Sequence, residues 1–325
     1  MSKHGVNQTT IETLGPLLEE EGYKLIYASS KKNQFLRILD MLWTIFKNRN
    51  SDYVIIDTYS TSSFWYALAA SQLCRILYLK YIPFLHGGNL PQRLRRNPTI
   101  CNLIFNNSYA CVAPSNYLLE AFRNQGYSNV AYIPNAIDIG HYQNKERKQA
   151  SPKLLWVRSF AEIYNPMMAV RVLQQLQEHH PEATLCMVGP DKDGSLTKTK
   201  QLAYDLGVSV IFTGKLTKQE WATLAQEYDI FINTTHFDNM PVSVIEAMAL
   251  GLAVVSTDVG GIPFLLEHQT EALLVGDNEV SEMVAAIQNL IDYPIFFEEL
   301  TTNASQKAIT FDWDEVKQHW FKILQ

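Results

Sequence analysis

Two carboxylates lie eight positions apart around the start of a predicted helix, Asp238 before it and Glu246 about one turn inside it. Pro241 suits a first helical turn because its missing amide hydrogen would have no partner there, and Gly251 supplies a stop, so the helix is predicted over residues 242–250. Unpaired amides at such a helix start can hold a diphosphate, and a carboxylate can accept two hydrogen bonds from a ribose diol. The spacing therefore predicts a nucleotide-sugar site. Its backbone contacts are predicted to come from Asn239, Met240, Pro241 and Val242.

The same residues, taken alone, fit equally well an ordinary helix whose dipole is stabilised by an N-terminal acid. The surrounding pattern is therefore important. Short apolar runs alternate with helix-length amphipathic segments through nearly the whole chain, which predicts parallel sheets covered on both faces. The predicted strands are residues 23–28, 53–57, 81–86, 109–113 and 130–133 in the first half, and 153–157, 184–189, 209–213, 230–233, 253–256 and 272–275 in the second.

Residues 235–263 resemble the acidic motif of retaining glycosyltransferases of the two-domain GT-B architecture, particularly family 4. Members of that family carry two glutamates eight positions apart before a glycine-rich turn, matched here by Asp238, Glu246 and the pair Gly260-Gly261. The resemblance implies an α/β fold of two Rossmann-like doubly wound domains with a cleft between them. It implies that Asp238, one methylene shorter than the family's glutamate, contacts the donor sugar near the reacting centre, and that Glu246 contacts the ribose.

The predicted domain boundary is the polar, charged stretch at residues 142–152, whose composition suits a linker. An acceptor-side domain is predicted over residues 1–143 and a donor domain over residues 144–310. The final amphipathic segment, residues 311–325, is expected to form a helix that packs back on the first domain, as the resemblance implies.

Ligands of open α/β sheets collect at the carboxyl ends of the strands. Arg158 directly follows a predicted strand and matches the family's diphosphate-binding arginine, whose planar guanidinium can form two parallel hydrogen bonds with phosphate oxygens. The family's partner lysine is replaced by Ile163 and Tyr164, so Lys215, which also follows a strand, is predicted to supply the second cation. Gly189 is predicted at the edge of the base pocket.

Two further candidates lie in the first half. His86 follows a strand and precedes two glycines, and it resembles the family's histidine beside the donor sugar and acceptor. Gly5 resembles the first-domain glycine loop near the donor phosphates. An ordinary turn residue and an ordinary helix start explain them as well.

Only four residues precede Gly5, whereas the implied architecture has a hydrophobic strand there. The first domain is therefore predicted to lack its first strand, leaving neighbouring strand edges unpaired. Adding an apolar strand of roughly six residues is expected to raise the melting temperature.

Composition excludes several classes of protein. The chain has 325 residues and a net charge of −6, which argues against a general nucleic-acid binder. Its four cysteines show no framework spacing, and no signal peptide is apparent, so a cytoplasmic location is predicted.

A basic cluster could bring the protein to the inner membrane face, although a solvated loop is the favoured interpretation. The cluster comprises Arg93, Arg95 and Arg96.

The predicted function is that of a hexosyltransferase-like enzyme. It would move a sugar, with retention, from a nucleoside diphosphate sugar to a saccharide or lipid-linked acceptor during polysaccharide, glycolipid or related glycoconjugate synthesis. No cofactor or metal is expected, because Arg158, Lys215 and the helix start can carry the charge role. Two alternatives stay open: a nucleotide-sugar epimerase on the same architecture, and a non-catalytic nucleotide-sugar binding protein.

Overall fold

The computed structural model describes residues 10–28, 31 and 33–325, and the chain divides into two compact units. One contains the residues up to Ala136 together with Val316–Gln325, and the other is Ile137–Glu315. The division after Ala136 comes earlier in the chain than the boundary predicted after residue 143. The reason is that residues 142–152, predicted to be a linker, form hydrogen bonds with other residues of the second unit. The Tyr142 hydroxyl donates to Glu246, and Arg147 Nε donates to the carbonyl of Tyr228 at 3.0 Å.

The first unit contains a four-stranded parallel sheet with the order β1-β2-β3-β4. Its strands are β1 (Tyr53–Thr58), β2 (Lys80–Leu85), β3 (Cys111–Ala113) and β4 (Val130–Tyr132). Its helices are α1 (Thr10–Glu20), α2 (Gln34–Lys47), α3 (Ser63–Ile76), α4 (Leu90–Arg96), α5 (Pro98–Phe105) and α6 (Asn116–Arg123). Four of the five strands expected in this half are therefore confirmed, to within two residues at either end.

The strand expected at residues 23–28 is wrong. This segment is irregular and pairs with no described strand. The ring of Tyr23 lies 6.2 Å from that of Phe321 instead, and Ile26 is exposed to solvent. Apolar alternation alone cannot form a strand, because the ladder needs a neighbouring edge.

The second unit contains a six-stranded parallel sheet with the order β10-β9-β8-β5-β6-β7. All six strands expected here are confirmed, to within one residue at either end: β5 (Lys153–Val157), β6 (Thr184–Val188), β7 (Val210–Gly214), β8 (Ile230–Asn233), β9 (Ala253–Thr257) and β10 (Ala272–Val275). The helices are α7 (Pro166–Leu176), α8 (Ser195–Asp205), α9 (Lys218–Leu224), α10 (Val242–Ala249), α11 (Ile262–Leu265), α12 (Val280–Asp292) and α13 (Pro294–Ile309). Short 3-10 helices span Ile139–His141, Glu162–Tyr164 and Ala225–Glu227.

Both faces of this sheet are covered by apolar cores. Leu155 and Phe231 belong to one core, whereas Trp156 and Ile232, one residue further along each strand, belong to the other. Side chains of successive strand residues point to opposite faces, so a doubly wound sheet requires these nearly continuous apolar runs.

The order of the strands defines where a ligand can bind. The chain runs from β5 to β6 and β7 on one side, then returns to β8 on the other side of β5 and continues to β9 and β10. The loops after β5 and β8 therefore diverge at a topological switch point, where open α/β sheets form their ligand crevices. Arg158 follows β5, and the segment that carries Asp238 follows β8.

The last helix is α14 (Trp313–Ile323), and its residues from Val316 onward group with the first unit. The Trp320 ring lies 5.4 Å from that of Phe84, edge to face, and Lys317 pairs with Glu21 at 3.0 Å. Among the helices that the structure describes, none is long and apolar enough to cross a membrane.

Candidate donor site and its relatives

Helix α10 presents its N-terminus at the switch point. It begins at Val242, and Pro241 is the preceding cap residue, with extended backbone angles of φ −71° and ψ 110°. The carbonyl of Pro241 accepts from Val244 N at 3.1 Å, while the first amides of the helix have no partner within it. The hydroxyl of Ser243 is buried and has no hydrogen-bond partner among the described residues. This end of α10 therefore offers backbone amides and a free hydroxyl to an anion.

Two glycines allow the Asp238 loop to lie against the start of α11. A Cβ atom on Gly261 would lie 1.8 Å from the carbonyl oxygen of Asn239, and one on Gly260 would lie 2.3 Å from that of Asp238. The amide of Gly261 donates to Asp238 O at 2.8 Å. The glycine pair recognised in the sequence thus fixes the loop that carries the first acid.

Arg158 is positioned by a similar close approach. Its amide donates to Val188 O at 3.0 Å, and a Cβ atom on Gly189 would lie 1.8 Å from Arg158 O. Gly189 also has φ +151°, which L side chains rarely adopt. Gly189 therefore allows the backbone of Arg158 to pack closely against it. The sequence had predicted a different role for Gly189, at the edge of the base pocket.

The structure brings Arg158 and Asp238 together as an ion pair. Tyr164, which occupies a position where the family resemblance expects lysine, places its ring 4.6 Å from the Arg158 guanidinium carbon. Burial lowers the pKa of Arg158, and Tyr164 and Glu246 act in the opposite direction. Since an arginine keeps its charge in proteins, Arg158 remains a cation here despite its burial. Arg158 Nε is buried and has no hydrogen-bond partner among the described residues.

Glu246 is held one turn inside α10, where only 5% of the residue is exposed. Its Oε1 accepts from the Tyr142 hydroxyl at 2.5 Å and lies 3.1 Å from Lys218 Nζ. Burial, and then Glu246, raise the pKa of Tyr142, so the phenol stays protonated and donates. Oε2 makes no hydrogen bond to the described part of the chain and remains able to accept one.

Lys215 follows β7 at the same sheet edge as Arg158. The register pairs Val157 with Val188 and Val188 with Gly214, so the two cations begin two strands apart, roughly 10 Å at about 4.8 Å per strand. Lys215 is exposed and has no ion pair with a described residue. The lysine that does reach the acidic motif is Lys218, which sequence reasoning missed.

His86 lies in the first unit, at the end of β2. Its Nε2 is 2.9 Å from Asp57 Oδ1, and its ring lies 4.4 Å from that of Phe84 and 5.0 Å from that of Tyr59. Asp57 was also missed. It could have been predicted from the sequence, because Asp57 and His86 lie at the carboxyl ends of two strands that are neighbours in the sheet. The parallel register of β1 and β2 brings these two ends together.

The basic cluster and Gly5 were also predicted as candidate binding positions. The Nε atom of Arg93 donates to Ser60 O at 2.8 Å, and its guanidinium lies 4.5 Å from the Phe64 ring. Arg93 is therefore committed to the first unit, while Arg95 and Arg96 are exposed. Gly5 lies outside the described residues.

Residues 151–293 match the family model for "Glycosyl transferases group 1". Over this range, 143 of the 325 residues, the chain is similar to that family. Arg158, Gly189, Lys215, Lys218, Asp238, Ser243 and Glu246 all lie inside the matched range, whereas Tyr142 and His86 lie outside it.

Among the curated relatives are proteins named as a glycosyltransferase and as a glycogen synthase. A D-inositol 3-phosphate glycosyltransferase of Actinosynnema mirum is 28% identical over 210 residues, which is 59% of this chain and 50% of the relative. A glycogen synthase of Mycobacterium tuberculosis is 22% identical over 209 residues, covering 63% of this chain and 50% of the relative. The chain thus matches about half the length of these relatives.

Solved structures establish the fold as GT-B. Anabaena HepE in complex with UDP superimposes with a TM-score of 0.79 at 18% identity, covering 96% of this chain and 89% of that one. Sucrose-phosphate synthase from Thermosynechococcus elongatus gives a TM-score of 0.73 at 16% identity, with coverage of 93% and 80%. The α/β architecture of two Rossmann-like units expected from the sequence is confirmed.

The Gly189→Ala substitution tests whether the close approach at β6 positions Arg158. The added methyl would meet Arg158 O, so the free energy of unfolding should fall by about 3 kcal/mol or more. Gly207→Ala is the matched control, because Gly207 has a φ of +67° and nothing within 4 Å of its Cβ position. It should cost only about 1 kcal/mol of backbone strain. Equal losses in urea-unfolding experiments would show that the Arg158 contact is unimportant.

Proposed function

We propose that this protein transfers a sugar from a nucleoside diphosphate sugar to an acceptor hydroxyl, with retention of configuration at the anomeric carbon. The observation that carries the proposal is that Arg158 and Asp238 form an ion pair at the switch point of the sheet. Asp238 shortly precedes the N-terminus of α10, and Glu246 lies about one turn inside that helix. Uridine diphosphate is the first nucleotide to test, because HepE has been solved with UDP and with UDP-glucose.

The proposed diphosphate site combines three kinds of donor. The Arg158 fork would bind two phosphate oxygens, the amides of Met240 and Val242 would approach from the start of α10, and the unsatisfied Ser243 hydroxyl would donate one more hydrogen bond. Lys215 would add a second cation from the end of β7. These groups would carry the charge role that a metal ion has in other transferases, so we expect activity without one.

The proposed ribose contact is made by Glu246 through Oε2, since Oε1 is already bound by Tyr142 and Lys218. Two donors on one oxygen fix the orientation of the carboxylate before the nucleotide arrives. Preorganisation of this kind reduces the entropy lost on binding. Glu246 would therefore contribute to affinity more than to the chemical step.

Asp238 is the proposed contact to the donor sugar, and its pairing with Arg158 joins the sugar and diphosphate sites. In the proposed reaction the bond from the anomeric carbon to the phosphate oxygen breaks, and a bond to the acceptor oxygen forms on the same face. The departing phosphate takes the acceptor proton. Arg158 and the helix start stabilise the charge that develops on that phosphate. His86, oriented by Asp57, is the proposed further contact to the sugar or the acceptor.

A donor and acceptor panel tests the proposal. The protein would be incubated with UDP-, GDP- and ADP-sugars and total cell lipids or oligosaccharides, with products identified by mass spectrometry and anomeric configuration by NMR. We expect a glycosylated acceptor with the anomeric configuration of the donor. An isomerised donor without transfer would indicate an epimerase, binding without turnover a non-catalytic protein, and inverted products would contradict retention.

Glu246→Ala is expected to weaken nucleoside diphosphate binding by about 1.5–3 kcal/mol, because it removes charge-assisted hydrogen bonds to the ribose. Tyr142→Phe is the matched control, since it deletes the neighbouring hydroxyl and keeps the carboxylate. It should cost less than about 1 kcal/mol in a calorimetric titration. Unchanged affinity in Glu246→Ala, or an equal loss in Tyr142→Phe, would remove the ribose assignment.

Asp238→Asn is expected to lower kcat on the order of 100-fold, as loss of a group that acts on the reacting centre does. Nucleoside diphosphate affinity should be retained or should rise, because the substitution releases Arg158 from its ion pair. Asp292→Asn, at an exposed acid at the end of α12, should change neither quantity. Parallel losses of kcat and affinity in Asp238→Asn would mean that the acid has a structural role.

A further inference from the structure

Helix α2 exposes a large apolar face. The exposed fractions are 79% for Phe35, 56% for Leu36, 57% for Leu39, 64% for Trp43 and 45% for Phe46. At 100° per residue these side chains cover roughly 100° of the helix surface, which is the width of a face that normally packs against a protein core. No residue of α2 is buried in the described structure.

The opposite face of α2 already makes the contacts that hold the helix to the first unit. Ile45 packs against the core formed by Ile56, Ala67, Ala70, Cys74 and Tyr81. Between α2 and α3 runs a groove of about 640 Å³, lined mainly by Leu39, Leu42, Trp43, Phe46, Leu73 and Ile76. The exposed face and this groove form one continuous apolar surface, which is called the α2 surface below.

The sequence around α2 is rich in positive charge. Residues 31–49 carry five basic side chains and one acid, in a chain whose net charge is −6. The basic residues are Lys31, Lys32, Arg37, Lys47 and Arg49. The Arg49 guanidinium lies 5.6 Å from the centre of the Phe46 ring, which itself lies 6.0 Å from that of Trp43. The segment thus combines exposed aromatic rings with adjacent cations, whereas the chain as a whole repels anionic surfaces.

We propose that the α2 surface binds the interface of a bilayer that contains anionic lipids. Amphipathic helices with Trp, Phe and Leu on one face and Lys or Arg beside it lie in the plane of the membrane interface, and each basic residue near an anionic leaflet adds to the attraction. Trp43 would sit at headgroup depth, where tryptophan is enriched. The exposed Arg95 and Arg96 are not needed for this contact, and the inference is independent of the transfer chemistry.

Vesicle flotation with the full chain tests this inference. Vesicles of phosphatidylcholine with about one third phosphatidylglycerol would be compared with vesicles of phosphatidylcholine alone. The test variant is the triple substitution Leu39→Gln, Trp43→Gln and Phe46→Gln. The matched control, Tyr204→Gln, Ile295→Gln and Ile309→Gln, removes three exposed apolar side chains from the second unit. Melting curves would confirm that both variants fold. The turnover of a nucleoside diphosphate sugar in solution, without vesicles, would be measured for the same proteins.

The unsubstituted protein and the control should float with the anionic vesicles, and binding should fall at least tenfold for the α2 variant. Lys47→Ser with Arg49→Ser should reduce the preference for anionic vesicles. Absence of binding by the unsubstituted protein, or equal binding by the α2 variant, would overturn the proposal. So would a dimer that the α2 substitutions dissociate without any vesicle binding, since a second copy would then cover the face. Failure of the transferase proposal would appear only in donor turnover.

Discussion

Direct contact between backbone atoms of neighbouring loops positions the two central charges of the second unit. Arg158 lies beside Asp238 because Gly189 lets the β5 loop approach β6, and because Gly260 and Gly261 let the Asp238 loop approach α11. In each case a single methyl group would collide with a carbonyl oxygen, which cannot move without displacing its strand or loop. Glycine is therefore needed for packing rather than for flexibility, and the site inherits the rigidity of the sheet.

Buried charge limits the arrangement further. Removing one partner of a fully buried ion pair costs about 3–5 kcal/mol because the other charge is left without compensation, and the cost here is smaller because the side chains of Arg158 and Asp238 are 17% and 14% exposed. Arg158 and Asp238 compensate each other, and Glu246 is compensated by Tyr142 and Lys218. Arg158 Nε, the Ser243 hydroxyl and Glu246 Oε2 have no hydrogen-bond partner among the described residues, and we propose that they meet the diphosphate and the ribose. The proposed site thus keeps its charges balanced while leaving hydrogen-bonding capacity for a ligand.

Local pattern was sufficient to predict most of the fold and part of the candidate site. Helix α10, its two acids and the strand before Arg158 could be predicted because each depends on residues within about ten positions. Tyr142 and Lys218 could not, since their contact with Glu246 joins segments 104 and 28 positions apart, the first of them in a stretch with linker composition. Tyr164 was read as a missing lysine, and only the structure shows its ring beside Arg158. The wrong strand at residues 23–28 arose because alternation cannot reveal whether a partner edge exists.

In the proposed site Arg158 recognises the diphosphate, whereas Glu246 recognises the ribose of the nucleoside. The direct measurement is a pair of calorimetric titrations, with the preferred nucleoside diphosphate and with its nucleoside, on the unsubstituted protein and on Arg158→Lys. Lysine keeps the charge and loses the planar fork. The predicted result is that Arg158→Lys removes most of the affinity difference between the two ligands and leaves nucleoside binding unchanged. A difference of the original size in Arg158→Lys would contradict the diphosphate site described here.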